Sequence, residues 1–300
     1  MKKKSAPVDW KQRVADEVAR YIETNDTLPW LRPWNINGIF PTNLQTKHEY
    51  RGINALLLGM YMGARSYDTP YFVTINGMRK LGGQFKDWEA AKDQGLPIVF
   101  WKMLPGTDKV TGEPKMIPLL RGWTVWNVAH IDGLELPPMP EPVVVADGVE
   151  RMFDNYPNPP EFRHEPSAQA YYSPLFDRIT LPMKEQFTSE IGYAETKAHE
   201  GVHSTGHSSR LKRFDDKSNP HEAYAREELV AEIGAAIMLQ RLGLEPDMRR
   251  MSDYVRGWGA AIKGDPNMLI GAANRADKAV NMILGIEDVQ IEQATEEVAA

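Results

Sequence analysis

The chain has 300 residues, of which 42% are hydrophobic and 25% are charged, and its formal net charge is −6. These fractions are typical of a soluble globular protein with room for two domains. The absence of cysteine excludes disulfides and thiolate metal sites and fits a cytoplasmic protein, and no apolar run approaches the roughly 18 residues of a membrane span.

The charge is divided unevenly along the chain. Residues 1–140 carry 18 basic and 14 acidic side chains, whereas residues 141–300 carry 17 basic and 27 acidic ones. The first part is therefore mildly basic, at +4, and the second is acidic, at −10. This asymmetry suggests that the two parts have different partners.

The first 136 residues predict a mixed α+β domain. Apolar spacing indicates helices over residues 8–23 and 54–64, and runs bounded by Gly or Pro indicate strands over 71–75, 97–102 and 122–128. A proline-rich linker follows at 137–142. Cations and aromatic side chains alternate in this part, which is what single-stranded DNA requires, because phosphates need charge and bases need flat faces.

The second domain, 143–286, is predicted to be mainly helical with a small sheet. Strands are expected near 170–172 and 178–181, and two long helices follow. Thr188 or Ser189 could cap the first helix, and Asn219 followed by Pro220 marks the start of the second. The segment 287–300 is an acidic tail.

The first long helix contains the pentapeptide His199-Glu200-Gly201-Val202-His203. Positions i and i+4 share one helix face, so the two imidazoles can hold one divalent metal, Zn²⁺ above all, with Mn²⁺ or another cation also compatible. Glu200 then lies where a carboxylate can take a proton from attacking water. The motif indicates metal-assisted peptide hydrolysis.

The third ligand is expected on the next helix, which carries Glu227, Glu228 and Glu232. Glu228 and Glu232 are one turn apart on the same side, whereas Glu227 points elsewhere. We assign Glu228 as the ligand and Glu232 as the carboxylate that holds a ligand histidine by its free ring N–H. The reverse assignment of these two residues stays open, and a solvated face is the alternative to both. His207 follows a glycine that breaks the helix, which disfavours it as a ligand.

The whole chain resembles the ArdC family of plasmid antirestriction proteins. The resemblance is carried by motifs in both parts of the chain: residues 29–34, 41–43, 50–54 and 125–134 in the first, and 172–174, 177–179, 199–207, 210–211 and 227–232 in the second. It implies an N-terminal domain that binds single-stranded DNA and a C-terminal zincin-like metallopeptidase domain. It also implies a bacterial protein of conjugative plasmids that protects incoming DNA in the recipient cell.

Candidate DNA contacts are cations and aromatic residues near predicted loops. The set is Arg32, Trp34, Lys47, Tyr50 and Arg51. The alternative is that the aromatic residues belong to the core and the cations to an ordinary surface.

The residue patterns predict binding of single-stranded DNA and an HExxH zinc metallopeptidase site that acts on an unidentified protein, and the resemblance implies a role in antirestriction. No membrane partner is expected. Two alternatives stay open: a pure DNA-binding protein with a structural metal, and a protease that its DNA domain recruits to DNA-bound proteins.

Overall fold

The computed structural model describes residues 8–25, 39–107, 112–139, 148–215, 219–244 and 265–286. Helices and small sheets alternate over these ranges, in agreement with the predicted α+β class. No helix in the described ranges is long and apolar enough to cross a membrane.

The first part of the chain is built on a four-stranded sheet with the order β1-β2-β5-β4. Its longest pairing is an antiparallel hairpin in which β4 and β5 run together from Leu96↔Val125 to Thr107↔Pro114. Two longer helices pack on the sheet, and a small two-stranded sheet joins β3 to β6. The elements are α1 (Trp10–Asn25), β1 (Thr42–Asn43), α2 (Gly52–Ala64), β2 (Tyr71–Val73), α3 (Ile75–Lys80), β3 (Gln84–Phe85), α4 (Trp88–Ala91), β4 (Leu96–Thr107), β5 (Pro114–Asn127) and β6 (Ile131–Asp132).

Helix α2 forms the centre of this part, and every residue from Gly52 to Met62 is buried. The Asn54 amide fixes the helix to the sheet, because it donates to the Val99 carbonyl at 2.8 Å and accepts from the Val99 N–H at 2.9 Å. Satisfying both backbone groups makes a buried amide favourable at this position.

The second part has a three-stranded sheet with the order β7-β9-β8 and a layer of long helices. As predicted, Ser189 caps the first long helix, accepting from Gly192 N–H at 3.0 Å, and Asn219 caps the second, accepting from His221 N–H at 3.0 Å. The elements are α5 (Gly148–Arg151), β7 (Glu161–Glu165), β8 (Tyr171–Ser173), β9 (Arg178–Pro182), α6 (Glu190–Ser204), α7 (Pro220–Arg241) and α8 (Pro266–Leu284).

The two parts share one hydrophobic core. Helix α8 packs on α6 and α7 of the second part and also on α1 and α2 of the first. Polar contacts span the same interface: Lys11 Nζ donates to Asn267 Oδ1 at 2.8 Å, and Arg241 lies 2.8 Å from Glu49 Oε2. Of the predicted linker 137–142 and acidic tail 287–300, residues 140–142 and the whole tail lie outside the described residues.

Candidate metal centre

Helices α6 and α7 bring two imidazoles and one carboxylate to a single point. The helices approach closely at Gly234, where a Cβ would lie 2.8 Å from Val202 Cγ2. His199 Nε2 and His203 Nε2 are 3.0 Å apart, and the Glu228 carboxylate lies 3.7 Å from the first and 3.4 Å from the second. These three side chains form the cluster in the described residues that could hold a metal ion.

The cluster has the size that a tetrahedral divalent cation requires. With metal–ligand bonds of about 2.0–2.1 Å, tetrahedral ligand atoms lie about 3.3 Å from one another. The measured separations of 3.0 to 3.7 Å lie on both sides of that value. A His₂Glu donor set leaves one coordination position open, as catalytic sites do.

The other ring nitrogen of His203 is held by Glu227. Glu227 Oε1 lies 3.3 Å from His203 Nδ1, and the same carboxylate is bound by Arg213 at 2.6 and 3.0 Å. Arg213 is itself fixed by the Val202 carbonyl at 2.8 Å and the Thr205 hydroxyl at 2.6 Å. A carboxylate on this nitrogen orients the ring so that Nε2 faces the cluster.

This arrangement corrects the expectation that Glu232 would hold a ligand histidine and that Glu227 would point elsewhere. Among the described residues, no hydrogen bond joins Glu232 to either ring. Glu232 lies one turn beyond Glu228, where burial, and then the charges of Glu228 and Glu195, raise its pKa to about 7. Glu227 reaches the ring because Arg213 draws its carboxylate to the Nδ1 side of His203.

The two histidines differ in protonation. Burial, together with the nearby charge of His203, lowers the pKa of His199 to about 4, so His199 is neutral. Burial would also lower the pKa of His203, but hydrogen bonds to Glu227 and Glu228 outweigh it and raise this pKa to about 9. Burial would raise the pKa of Glu228, but its hydrogen bond to His203 and the charge of that ring outweigh burial and lower it, so the carboxylate is ionised and suited to a cation at this point.

Glu200 lies next to the cluster and is 8% exposed. Burial raises the pKa of its carboxyl, although the charge of His203 and a hydrogen bond from the Tyr172 backbone N–H oppose the shift. Strand β8 therefore holds the carboxylate in a fixed position beside the two histidines. The arrangement suits a group that exchanges a proton with a bound molecule.

A partly buried polar network fixes β8 against α6, and sequence reasoning assigned no role to its members. Arg210 forms an ion pair with Asp177 and donates to the Ser204 carbonyl at 2.8 Å. The Tyr172 hydroxyl donates to Asp177 at 2.7 Å. All three residues belong to the motifs that carry the resemblance, which was the available signal.

A cleft of ≈ 1020 Å³ opens over the cluster. Its floor includes His199, Glu200, His203 and Glu228. Tyr224 lies at its edge, 67% exposed, and its hydroxyl donates a hydrogen bond to Glu228. The metal cluster is therefore open to a large ligand.

His207 lies apart from the three clustered residues, and its ring forms a hydrogen bond of 2.8 Å with the Ser209 hydroxyl.

The residues expected to contact DNA are distributed differently. Arg32 and Trp34 lie outside the described residues. Lys47 is exposed at the tip of a turn, with a positive φ of 62°, and Arg51 is half-buried immediately before α2. Tyr50 does not fit its expected role: it is 4% exposed and its hydroxyl accepts from the Asn43 amide at 3.2 Å. Burial of an aromatic ring in the core leaves no face on which a base could stack.

Comparison with known proteins identifies both parts of the chain. Residues 8–126 match the N-terminal domain of anti-restriction factor ArdC, and residues 149–275 match the zincin-like metallopeptidase family. The crystal structure of the antirestriction ArdC protein from plasmid R388 in its metal-free form superposes with a TM-score of 0.73 at 33% identity, covering 97% of this chain and 98% of that one. The Mn(II)-bound structure of the same protein gives 0.73 at 32% identity, covering 97% and 99%.

A longer relative contains the same region. The DNA primase TraC of Escherichia coli is 33% identical over 307 residues, which cover 95% of this chain. The chain spans 28% of the length of that primase and 20% of a second TraC primase. The similarity therefore concerns one region of those larger proteins.

Proposed function

Since the chain belongs to the ArdC family of anti-restriction proteins, we propose that it binds single-stranded DNA and hydrolyses peptide bonds at a divalent-metal site, and that it protects DNA entering a recipient cell. The observation that carries the hydrolytic part is the convergence of His199 Nε2, His203 Nε2 and the Glu228 carboxylate beside Glu200. The Mn(II)-bound relative supports a divalent cation in the family.

In this proposal each residue of the cluster has a defined task. His199, His203 and Glu228 would hold the cation, which when bound supplies Lewis-acid polarisation of a carbonyl and makes water nucleophilic at neutral pH. Glu200 accepts the proton that the attacking water loses and returns it to the nitrogen of the departing amine as the C–N bond breaks. The Tyr172 backbone N–H keeps the Glu200 carboxylate in place for both transfers.

The sheet supports a polypeptide as the substrate. Strand β8 pairs with β9 on one side only, and within the described residues no second strand pairs with its other edge, where Glu200 takes the Tyr172 N–H. Tyr171 and Tyr172 of this strand line the cleft. An extended peptide can add to such an edge by backbone hydrogen bonds, which would lay its scissile bond across the cluster.

The hydrolytic proposal is tested by measuring metal content and peptide cleavage on the same full-length preparations. The wild type and Glu200→Gln should each hold about one divalent ion per chain, because the three ligands are intact. His199→Ala, His203→Ala and Glu228→Ala should lose it. Cleavage of a proteome-derived peptide library, with Zn²⁺ or Mn²⁺ supplied separately, should fall by about 10²–10⁴ in Glu200→Gln.

Two results would overturn this assignment. Full metal occupancy in Glu228→Ala with loss in Glu232→Ala would transfer the third ligand to Glu232. Normal metal content in the wild type without cleavage of any library peptide would favour the alternative function, a single-strand-binding protein whose metal is structural.

Single-strand binding is proposed for the first part of the chain, which matches the ArdC N-terminal domain. The exposed cation Lys47 supports it, as does Trp88, whose ring is 47% exposed and packs on Phe85. Lys86 precedes Trp88 by two residues and is exposed, and an exposed ring together with a cation is the combination that stacks a base beside a bound phosphate.

A further inference from the structure

We infer that the cleft over the His199–His203–Glu228 cluster selects polypeptides with acidic side chains beside the bond that is hydrolysed. The inference rests on the proposed peptidase function and names the class of its substrate. It comes from the basic side chains that line the cleft and from strand β8, one edge of which pairs with no other strand in the described residues.

Cations from three different elements converge on the rim of this cleft. Lys212 lies in the loop after α6, Arg226 on α7, and Arg275 and Lys278 on α8. They do so in the part of the chain that is acidic overall, with 17 basic and 27 acidic side chains. Gathering like charges at one opening is unfavourable unless an anionic partner occupies it. The lining of the cleft is therefore rich in basic side chains, although the part of the chain that forms it has a net negative charge.

Most of these rim cations are available to a ligand. Lys212, Arg275 and Lys278 are exposed, and their side chains have no ion-pair partner within the described part of the chain. Arg226 forms a 3.6 Å ion pair with Glu222 at the surface. The Arg226 side chain is 26% exposed and already has this partner, so the inference rests on the other three cations.

The carboxylates that line the cleft do not neutralise the rim, because each has a partner at the floor. Glu227 is bound by Arg213, Glu228 faces the two histidines, and Glu200 accepts from the Tyr172 backbone. Counting Arg213, five cationic side chains line the cleft against three carboxylates, before any metal ion is added. Basic side chains therefore outnumber acidic ones among the residues that line the cleft.

A polypeptide fits this cleft better than a nucleic acid does. The cleft lies over a zincin-type cluster with Glu200 beside it, and β8 lines it with Tyr171 and Tyr172. Beyond the Tyr172 N–H, which Glu200 occupies, this strand edge pairs with no other strand in the described residues, so an extended peptide can lie along it. Tyr171 and Phe214, both exposed at the cleft, give apolar contact to peptide side chains. Acidic side chains on the bound strand would then reach the rim cations while its backbone lies on β8.

Binding to the Glu200→Gln variant, which cannot complete the reaction, tests the inference apart from catalysis. Three labelled peptides of one length and one backbone sequence would carry Asp and Glu, their amide counterparts Asn and Gln, or Lys at the flanking positions. Fluorescence anisotropy with the zinc-loaded full chain should give a Kd about tenfold lower for the acidic peptide than for the amide peptide. The difference should shrink with added salt, because the rim is exposed.

Charge reversal identifies the rim as the source of selectivity. Arg275→Glu combined with Lys278→Glu should abolish the preference for the acidic peptide while leaving zinc content unchanged. The matched control is Arg151→Glu with Arg163→Glu, two exposed cations of the same part of the chain that do not line the cleft, and it should retain the preference.

Each contrary result has a separate meaning. Equal Kd values for the acidic and amide peptides overturn the charge selection and leave the peptidase proposal standing. Tight binding of a single-stranded oligonucleotide that competes with the acidic peptide and is lost on Arg275/Lys278 reversal shows that the cleft takes nucleic acid instead. Cleavage by the wild type of library peptides without enrichment of Asp or Glu also overturns the inference, whereas cleavage of none contradicts the proposed function itself.

Discussion

Glu227 and Glu228 are neighbours in sequence, yet they serve opposite sides of the same imidazole. Glu228 faces His203 Nε2 at 3.4 Å and Glu227 lies on Nδ1 at 3.3 Å. Adjacent residues of a helix point about 100° apart, which is enough to bracket a ring inserted between them. One helical turn thus supplies both a candidate ligand and the group that orients another ligand.

The first prediction concerns this orienting role. Glu227→Gln should lower the affinity for Zn²⁺ by about 10- to 100-fold, because the His203 ring loses the charged partner that fixes its tautomer. Glu232→Gln is the matched control on the same helix and should change affinity little. Competition with a coloured chelator measures both variants. A larger loss in Glu232→Gln than in Glu227→Gln would restore the assignment made from sequence.

The sequence predicted the histidine pair and Glu228 beside it, but it gave Glu232 the contact with the ring that Glu227 makes. Helical periodicity relates Glu228 to Glu232, but it carries no information about Arg213, which lies in a short 3₁₀ helix (Arg213–Asp215) before α7. Arg213 decides the matter here because its guanidinium binds the Glu227 carboxylate beside the ring. An ion pair of this kind between two elements cannot be predicted from the periodicity of the sequence.

At the scale of elements, helix α8 connects the two parts of the protein at the start of α2. Gly52 has a positive φ of 53°, and its backbone lies so close to α8 that a Cβ would be 2.0 Å from Asn274 Oδ1. The same Asn274 oxygen accepts from the Ile53 N–H at 3.2 Å and so satisfies a free donor at the beginning of the helix.

The second prediction follows from that contact. Gly52→Ala should lower the free energy of unfolding by about 2–4 kcal/mol, since it adds a steric clash to an unfavourable left-handed backbone. Gly82→Ala is the control, because Gly82 also has a positive φ, of 79°, but open space around it. Gly82→Ala should lower the free energy of unfolding by about 1–2 kcal/mol, which is the cost of the left-handed backbone conformation without a steric clash. Urea denaturation compares them, and equal losses would show that the Asn274 contact contributes nothing.

The helix caps at Ser189 and Asn219 were predictable because capping is local chemistry. The place where α8 docks was not, because it depends on residues more than two hundred positions apart, such as Ile53 and Asn274. Tyr50 shows the opposite error. Its position beside cations suggested a base-stacking ring, but the packing of α2 and the Asn43 contact bury it.

At the scale of the whole molecule, the shared core determines how the two proposed activities must be tested. Helices α1 and α2 lose their contacts with α8 if the chain is cut after the first part. Point variants of the full chain are therefore the appropriate reagents, and the predicted boundaries at 136 and 143 stay predictions. The metal cluster itself is drawn from α6 and α7 alone, so the proposed tasks can still be separated by substitution.

The central claim is that single-strand binding and hydrolysis are separate tasks of one antirestriction protein. The most direct measurement is the efficiency of DNA transfer into a restricting recipient, relative to a recipient without that restriction system. It compares the wild type with Glu200→Ala. The single-strand affinity and metal content of both proteins are measured in parallel. We expect Glu200→Ala to bind single-stranded DNA as the wild type does and to retain most of the protection, because occupancy of the strand needs no proton transfer. Loss of protection in Glu200→Ala, with normal metal content and normal DNA affinity, would contradict it and make proteolysis the antirestriction step.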